Sequence, residues 1–294
     1  MAKIYLQLIF ISSLFVLCAS CTPIAKTPQK SSTNYLIFDE KPDSISPASF
    51  EEIQFKSSGS VIFGFQYIAN GSGPHPTVVL LHGLPGNERN LDIAQNLRRA
   101  GYNIIYFDYR GSWGSEGNFS FANSLKDISA VLDYLTDSQN QNRLKIDTNR
   151  IALIGHSMGA GLALINGLKN PRVKAVAGIS VFNPYTILKG SKSAGNILSL
   201  NEYMSTLGML NCEPDSYTKE LLSNVDSYNI ENMIKESSKP ILIIDEHKNN
   251  IEFKKYTRKR SFTYKMWNTD HAFTNKRIAL SIELNAFLLK NLSR

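Results

Sequence analysis

Short, continuous apolar runs alternate along the chain with longer stretches in which apolar residues recur at helical spacing. Residues 77–82, 150–155 and 240–245 are such runs, and this composition is typical of strands buried on both faces of a sheet. Residues 121–137 instead repeat apolar residues every three or four positions, which predicts an amphipathic helix. Further strands are predicted at residues 50–55, 61–69, 102–108, 173–180 and 261–267, and further helices at 90–100, 158–168 and from about 274 onward.

Buried strands that alternate with helices predict an α/β fold, in which helices cover both faces of a mostly parallel, doubly wound sheet of about eight strands. Crossovers between parallel strands are right-handed, so the loops at the carboxyl ends of the strands gather along one edge of the sheet. We therefore expect the residues that carry chemistry to follow strands directly.

Residues 184–225 break this alternation. The segment has no buried-strand pattern and includes a helix-like stretch at residues 197–210. Loops of this length rarely lack secondary structure of their own inside a compact domain. We interpret the segment as a small helical cap inserted after the sixth strand. Its apolar residues indicate either a lid over a pocket or a small core of the cap itself.

The first residues have the composition of an export signal. Lys3 supplies a positive charge, and residues 4–17 are almost entirely apolar before two small residues. This run is shorter than the about 20 residues that a membrane-spanning helix needs. We predict a signal peptide at residues 1–20, with a plain anchor helix as the alternative. Residues 21–49, rich in Pro, Ser, Thr, Lys and Asn, then predict a flexible tether to a domain at residues 50–294.

The sequence around Cys21 resembles the lipobox of bacterial lipoproteins. Residues 17–21 (LCASC) place this cysteine after two small residues, although Cys18 stands where that motif usually has leucine. The resemblance implies a lipidated Cys21, a membrane tether and a periplasmic or membrane-anchored location; an ordinary signal peptide and a secreted product are the alternative. A lipidated Cys21 leaves only Cys212 unmodified, whereas a free Cys21 leaves a Cys21–Cys212 bridge open.

The overall composition fits a globular protein and narrows the classes of partner. Of 294 residues, 43% are apolar and 19% charged, and the formal net charge is +7. Spread over this length, the basic excess is too small to indicate a nucleic-acid partner. Because no His and Cys residues cluster at the spacing of metal ligands, we expect no metal or organic cofactor. The oligomeric state is left open.

Residues 155–159 (GHSMG) fit the pattern G-x-S-x-G, in which Ser157 is a candidate nucleophile. The pattern alone is weak, but here it directly follows an apolar run and precedes a predicted helix that opens with small residues. A nucleophile at a sharp strand-to-helix turn needs glycine two residues to either side, because larger side chains would collide there. We predict that Ser157 attacks the substrate from such a turn; a merely structural turn is the alternative.

Two further motifs follow predicted strands. Residues 82–86 (HGLPG) follow one strand, and residues 269–273 (TDHAF), which contain His271, follow the last. Together with GHSMG these motifs resemble the α/β-hydrolase superfamily of serine esterases, lipases and peptidases. The resemblance implies that His271 is the catalytic base, for which an imidazole pKa of about 6.5 is suited. It also implies that the backbone amides of Leu84 and Met158 form the oxyanion hole.

Residues 108–117 (DYRGSWGSEG) resemble a loop motif of the same superfamily, D-x-R-G-x-G-x-S, blurred by one position. In the superfamily this loop is usually structural, so we expect Asp108 and Arg110 to fix loops near the site through hydrogen bonds. The histidines other than His271 are expected to be structural or solvated: His75, His82, His156 and His247.

The carboxylate that orients the imidazole is the hardest residue to assign. Members of the superfamily usually carry Gly-x-x-Asp after the seventh strand, whereas this chain has residues 245–249 (DEHKN) there. We predict Asp245 as the acid, with Glu246 as the second choice. The segment after the sixth strand offers only Asn183, and the lack of any acid is a further alternative.

These motifs predict a serine hydrolase that cleaves carboxylic esters of small molecules through an acyl-enzyme, with Ser157, His271 and Asp245 as catalytic residues. A serine peptidase or amidase of the same fold is an alternative, because both reactions pass through the same tetrahedral chemistry. The irregular acid region leaves a third hypothesis, a catalytically impaired binding protein that retains the fold.

Overall fold

The computed structural model describes residues 33–39, 42–189 and 194–293. At its centre lies one eight-stranded sheet with the strand order β1-β2-β4-β3-β5-β6-β7-β8. The strands are β1 (Ser49–Ser57), β2 (Ser60–Ile68), β3 (His75–Leu81), β4 (Asn103–Phe107), β5 (Ile146–His156), β6 (Val173–Ile179), β7 (Ile241–Asp245) and β8 (Phe262–Met266). The pairs β1–β2 and β2–β4 are antiparallel and the other five are parallel. The predicted mostly parallel sheet of about eight strands is confirmed.

Helices cover both faces of this sheet. They are α1 (Leu91–Arg99), α2 (Phe121–Thr136), α3 (Ser138–Arg143), α4 (Met158–Gly167), α5 (Pro184–Leu188), α6 (Ala194–Ser205), α7 (Pro214–Ser223), α8 (Ile230–Glu236) and α9 (Arg277–Leu292). Successive residues of β5 belong to different cores: Leu153 packs in the core that includes α2, α4 and α8, and Ile154 in the core that includes α1 and α9. Burial on both faces explains why the central parallel strands, such as β5, contain continuous apolar runs in the sequence.

The predicted tether is not wholly free. Residues 33–39 contain a short 3-10 helix (Asn34–Leu36) whose Tyr35 is buried against the domain. The Arg99 side chain donates to the Tyr35 carbonyl oxygen at 2.5 Å, and Arg98 forms an ion pair with Asp39 at 2.7 Å. Residues 33–39, at least, are therefore held against the arginines of α1. The predicted signal peptide at residues 1–20 and Cys21 lie outside the described residues.

No helix within the described ranges is long and apolar enough to cross a membrane.

The insertion after β6 is helical, as the sequence predicted. Helices α5, α6 and α7 occupy most of residues 184–225, and α8 extends the helical insertion up to β7. Backbone hydrogen bonds attach this cap to the loop after β4: the Trp113 N–H donates to the Met209 carbonyl, and the Asn211 N–H to the Gly111 carbonyl. The cap therefore rests on the strand-end loops of the sheet.

Candidate active site

Ser157 stands at a strained turn between β5 and α4. Its backbone angles are φ 56° and ψ −118°, a region that residues with side chains rarely adopt. A Cβ at Gly155 would lie 2.1 Å from the Gly159 carbonyl oxygen, and one at Gly159 would lie 2.3 Å from the Leu81 carbonyl oxygen. Both contacts are far too short, so only glycine fits at the two outer positions of G-x-S-x-G. The turn places Ser157 at the carboxyl end of β5, directly before the amino end of α4.

His271 meets a carboxylate and a hydroxyl at its Nδ1 atom. Glu246 Oε1 lies 2.9 Å from that nitrogen, and Ser180 Oγ lies 2.8 Å from it. Ser180 also donates to Glu246 Oε1 at 2.8 Å, so the three groups form a closed triangle. His271 follows β8, Glu246 follows β7 and Ser180 follows β6. The three residues meet because parallel strands end at one edge of the sheet.

The structure places Asp245 elsewhere, and the choice of this residue as the orienting acid is wrong on geometry. Asp245 is fully buried and accepts hydrogen bonds from the Val181 N–H at 2.7 Å and from Asn250 Nδ2 at 3.0 Å. Successive side chains of a strand point to opposite sides, so the end of β7 turns Asp245 inward and Glu246 toward His271. Asn183, the other candidate, caps α5 through Thr186.

The surroundings of Glu246 favour its ionised form. Its side chain is 11% exposed, and this burial by itself would raise its pKa. The hydrogen bonds from His271, from its own backbone and from Ser180 outweigh burial and hold the pKa of Glu246 below its ordinary value of 4.5. Within the described residues its second oxygen, Oε2, is buried without a hydrogen-bond partner. Glu246 therefore contacts the imidazole of His271 through Oε1.

His156, inside the GHSMG motif, holds the backbone of the His271 loop. Its Nε2 lies 2.8 Å from the carbonyl oxygen of His271, and the two rings are 4.9 Å apart between centroids. Burial lowers the pKa of His156 to about 4, so the ring is neutral and donates its Nε2 proton to that carbonyl. Sequence reasoning did not find this contact. The only signal was the position of His156 beside Ser157 in the GHSMG motif.

The loop after β3 passes close to Ser157. A Cβ at Gly83 would lie 3.0 Å from Ser157 Cβ, so the glycine permits this approach. The next residue, Leu84, lines the same cavity as Ser157, Met158 and His271. Trp113 Nε1 donates to the Pro85 carbonyl oxygen at 2.7 Å and fixes the far side of the loop.

His82 stands under this loop. Its Nδ1 lies 2.8 Å from the Gly83 carbonyl oxygen, and burial lowers the pKa of His82 to about 4. A neutral ring in that position fits the expected structural role.

Asp108 and Arg110 hold the loops around the site, as expected. Arg110 forms a buried ion pair with Asp127 at 2.7 Å and donates to the Ser57 hydroxyl at 2.8 Å. Asp108 accepts from the Tyr106 hydroxyl at 3.2 Å, and its burial raises its pKa to about 6. Neither side chain lines the cavity at Ser157.

A cavity of ≈ 390 Å³ opens at Ser157 beneath the cap. His271 and Tyr203 lie at its exposed mouth, whereas Tyr217 and Leu221 are buried at its base. Apart from Ser157 and His271 its lining is aliphatic, thioether or aromatic. In residues 33–39, 42–189 and 194–293 no group of three or more His, Cys, Asp or Glu is arranged to hold a metal ion.

The family of the chain follows from a match that covers Ser157 and Glu246 and ends before His271. A hydrolase family model described as "Serine aminopeptidase, S33" matches residues 72–258, well over half of the chain. The chain belongs to this family. It is accordingly an enzyme, a hydrolase of the α/β-hydrolase fold.

This hydrolase is also similar to other known proteins and to a solved structure. It is 26% identical over 211 residues to the uncharacterized protein YfhR of Salmonella typhi, covering 66% of this chain and 70% of that protein. It is 28% identical over 211 residues to the quorum-quenching protein AidA of Acinetobacter baumannii, covering 62% and 67%. The structure of the esterase Pf2001 of Pyrococcus furiosus superposes with a TM-score of 0.61 at 18% identity, covering 84% of this chain and 92% of that one, and shares the fold.

Proposed function

We propose that this hydrolase cleaves carboxylic esters through an acyl-enzyme on Ser157, with His271 as the proton-transfer base and Glu246 as the acid that orients it. One observation carries the proposal. The imidazole of His271 lines the same cavity as Ser157 and has its Nδ1 2.9 Å from a largely buried, ionised carboxylate. Nucleophile, base and orienting acid are the three parts that this chemistry requires.

The proposed reaction runs in two halves. The Nδ1–H of His271 points at Glu246, which leaves the Nε2 lone pair to take the Ser157 proton as Oγ attacks the ester carbonyl. The backbone amides of Leu84 and Met158 donate to the oxyanion, and the imidazolium returns the proton to the departing alcohol. Water then repeats the sequence on the acyl-enzyme and releases the carboxylic acid.

A serine peptidase is the second candidate, and membership of a family described as serine aminopeptidases favours it. Both reactions use the same residues, so turnover decides between them. The contact between Glu246 and His271 argues against a catalytically impaired binding protein, because that hypothesis depended on an acid region too irregular to orient the imidazole.

The proposal is tested by labelling the full-length protein with a fluorophosphonate probe, which reacts with activated serines. We expect labelling of the wild type and none of Ser157→Ala, together with hydrolysis of short-chain esters that exceeds hydrolysis of aminoacyl amides. Equal labelling of both proteins would refute the role of Ser157. Faster turnover of the amides would replace the esterase by the peptidase.

We also propose that the protein is exported and tethered to a membrane through a lipidated Cys21, on the strength of the lipobox-like residues 17–21. Metabolic labelling with a radioactive fatty acid should mark the wild-type chain and not Cys21→Ser. Equal incorporation, or none in the wild type, would contradict the tether.

A further inference from the structure

The described residues that line the cavity at Ser157 offer no compensating charge to a substrate. Nine side chains line it besides Ser157 and His271, and none of them is acidic or basic. Two of the nine, Tyr203 and Tyr217, are phenols. Burial raises the pKa of Tyr217 well above its ordinary value, so its hydroxyl is neutral and cannot act as a counter-ion.

Two acidic side chains of the cap have partners outside the lining of the cavity. Glu213 accepts from backbone amides at the start of α7, and Glu220 accepts from the Ala122 N–H at 3.2 Å and from the Tyr228 hydroxyl at 3.1 Å. Glu246 is engaged by His271 and Ser180. None of these three carboxylates lines the cavity, and no Asp or Glu is among its described lining residues.

The proposed reaction brings the acyl group of a substrate next to the cavity. Its carbonyl carbon bonds to Ser157 Oγ, and we place the α-carbon and its substituents, one bond further, in the cavity that Ser157 lines. An α-ammonium there would lose its hydration without gaining a partner of opposite charge, which is among the costliest changes a binding site can impose. A hydrocarbon substituent in the same place would be buried favourably.

We propose that the acyl group accepted by Ser157 is uncharged and apolar, and that substrates with a free α-ammonium are excluded. The inference rests on the proposed ester hydrolysis and names its substrate class. It departs from the family description, since an aminopeptidase must hold that ammonium beside the scissile carbonyl. The expected discrimination is about 100-fold in kcat/KM, because the site leaves a charged group unpaired.

Three esters with one leaving group test this selectivity. Methyl 4-methylpentanoate and leucine methyl ester share their carbon skeleton, and the second replaces an α-hydrogen by an ammonium. N-acetylleucine methyl ester removes the charge again. Each enzymatic rate is divided by the rate of that ester's hydroxide-catalysed hydrolysis, and the pH is one at which the amine is protonated. We expect kcat/KM of the ammonium ester to be about 100-fold lower than that of the neutral ester. Acetylation should recover part of this loss, because it removes the charge and leaves a polar amide. A deficit below about tenfold would overturn the inference.

The same experiment separates this inference from the proposed function. Hydrolysis of methyl 4-methylpentanoate that disappears in Ser157→Ala supports the proposed function however the ammonium ester behaves. Efficient, Ser157-dependent hydrolysis of the ammonium ester would overturn only the proposed selectivity. If Ser157→Ala retained the activity, the proposed function would fail, and the inference with it.

A carboxylate introduced into the cavity should reverse part of the preference. Leu200 lines the cavity from α6, whereas Leu198 on the same helix is 58% exposed and outside the lining, so Leu198→Glu is a matched control for Leu200→Glu. We expect Leu200→Glu to narrow the ratio between neutral and ammonium esters at least about tenfold, and Leu198→Glu to leave it unchanged. The same ratio between neutral and ammonium esters in both variants would contradict the placement of the α-substituent in this cavity. The ester series on the wild type decides the question even if Leu200→Glu fails to fold.

Discussion

Replacing Glu246 by glutamine removes one negative charge from the imidazole of His271 and little else. The two groups are 2.9 Å apart, so a Coulomb energy of roughly 1.4 kcal/mol in bulk water and roughly 5.7 kcal/mol at an effective dielectric constant of about 20 stabilises the imidazolium formed during attack. The His271 side chain is 59% exposed and Glu246 only 11%, which places the pair between these limits. We expect kcat to fall by about 10²–10³ in Glu246→Gln, with KM nearly unchanged.

The matched control is Asp245→Asn, one residue earlier on β7. Its oxygens accept from Val181 and Asn250 and do not reach His271, so this change should cost about 1–3 kcal/mol of folding stability and leave kcat per folded molecule within a few-fold of wild type. Steady-state ester hydrolysis, normalised to titrated active sites, and urea unfolding measure the two effects. A large loss of kcat in folded Asp245→Asn, with Glu246→Gln unaffected, would reverse the assignment.

Three further predictions follow from the same contacts. Ser180→Ala should lower kcat by about tenfold and shift the pH profile of kcat, because the Ser180 hydroxyl is 2.8 Å from both His271 Nδ1 and Glu246 Oε1. An unchanged pH profile would mean that Ser180 has only a structural role. His156→Phe should lower kcat about tenfold, because it removes the hydrogen bond to the His271 carbonyl oxygen. His156→Gln keeps a side-chain N–H donor and should recover part of this loss. Equal kcat in the two variants would exclude a positioning role for His156. Because the pKa of Glu246 is lower in the folded than in the unfolded protein, its ionisation stabilises the folded state at pH values above the unfolded pKa of about 4.5. This contribution is lost as the pH falls through the folded pKa, so the difference in unfolding free energy between wild type and Glu246→Gln, measured by urea unfolding, should shrink on acidification. A difference that stays constant would contradict the pKa shift.

The fold could be predicted from sequence because burial leaves a simple pattern. Strands covered on both faces must be apolar throughout, as the runs at β3, β5 and β7 are. All eight predicted strands are strands of the sheet. The elbow at Ser157 was predictable for a related reason, since Gly155 and Gly159 each face a backbone oxygen that leaves no space for a side chain. Both signals are local.

The remainder depends on contacts between residues far apart in the chain. Asp245 and Glu246 are adjacent acids, and only the direction in which β7 ends decides which of them meets His271. Ser180 joins the pair through a contact that spans 91 residues, and a single serine after an apolar run carries no pattern that would reveal it. Residues 33–39 have the composition of a linker, and what attaches them to the domain is a set of contacts with distant arginines of α1. Composition does not reveal such contacts.

The measurement that tests the central claim most directly is the intact mass of the protein, acid-quenched during turnover of a slowly deacylated neutral ester. We predict a mass increase equal to one acyl group, peptide mapping that assigns it to Ser157, and no such species in Ser157→Ala. Turnover without a covalent species under conditions where acylation is faster than deacylation, or an acyl group on another residue, would contradict the mechanism.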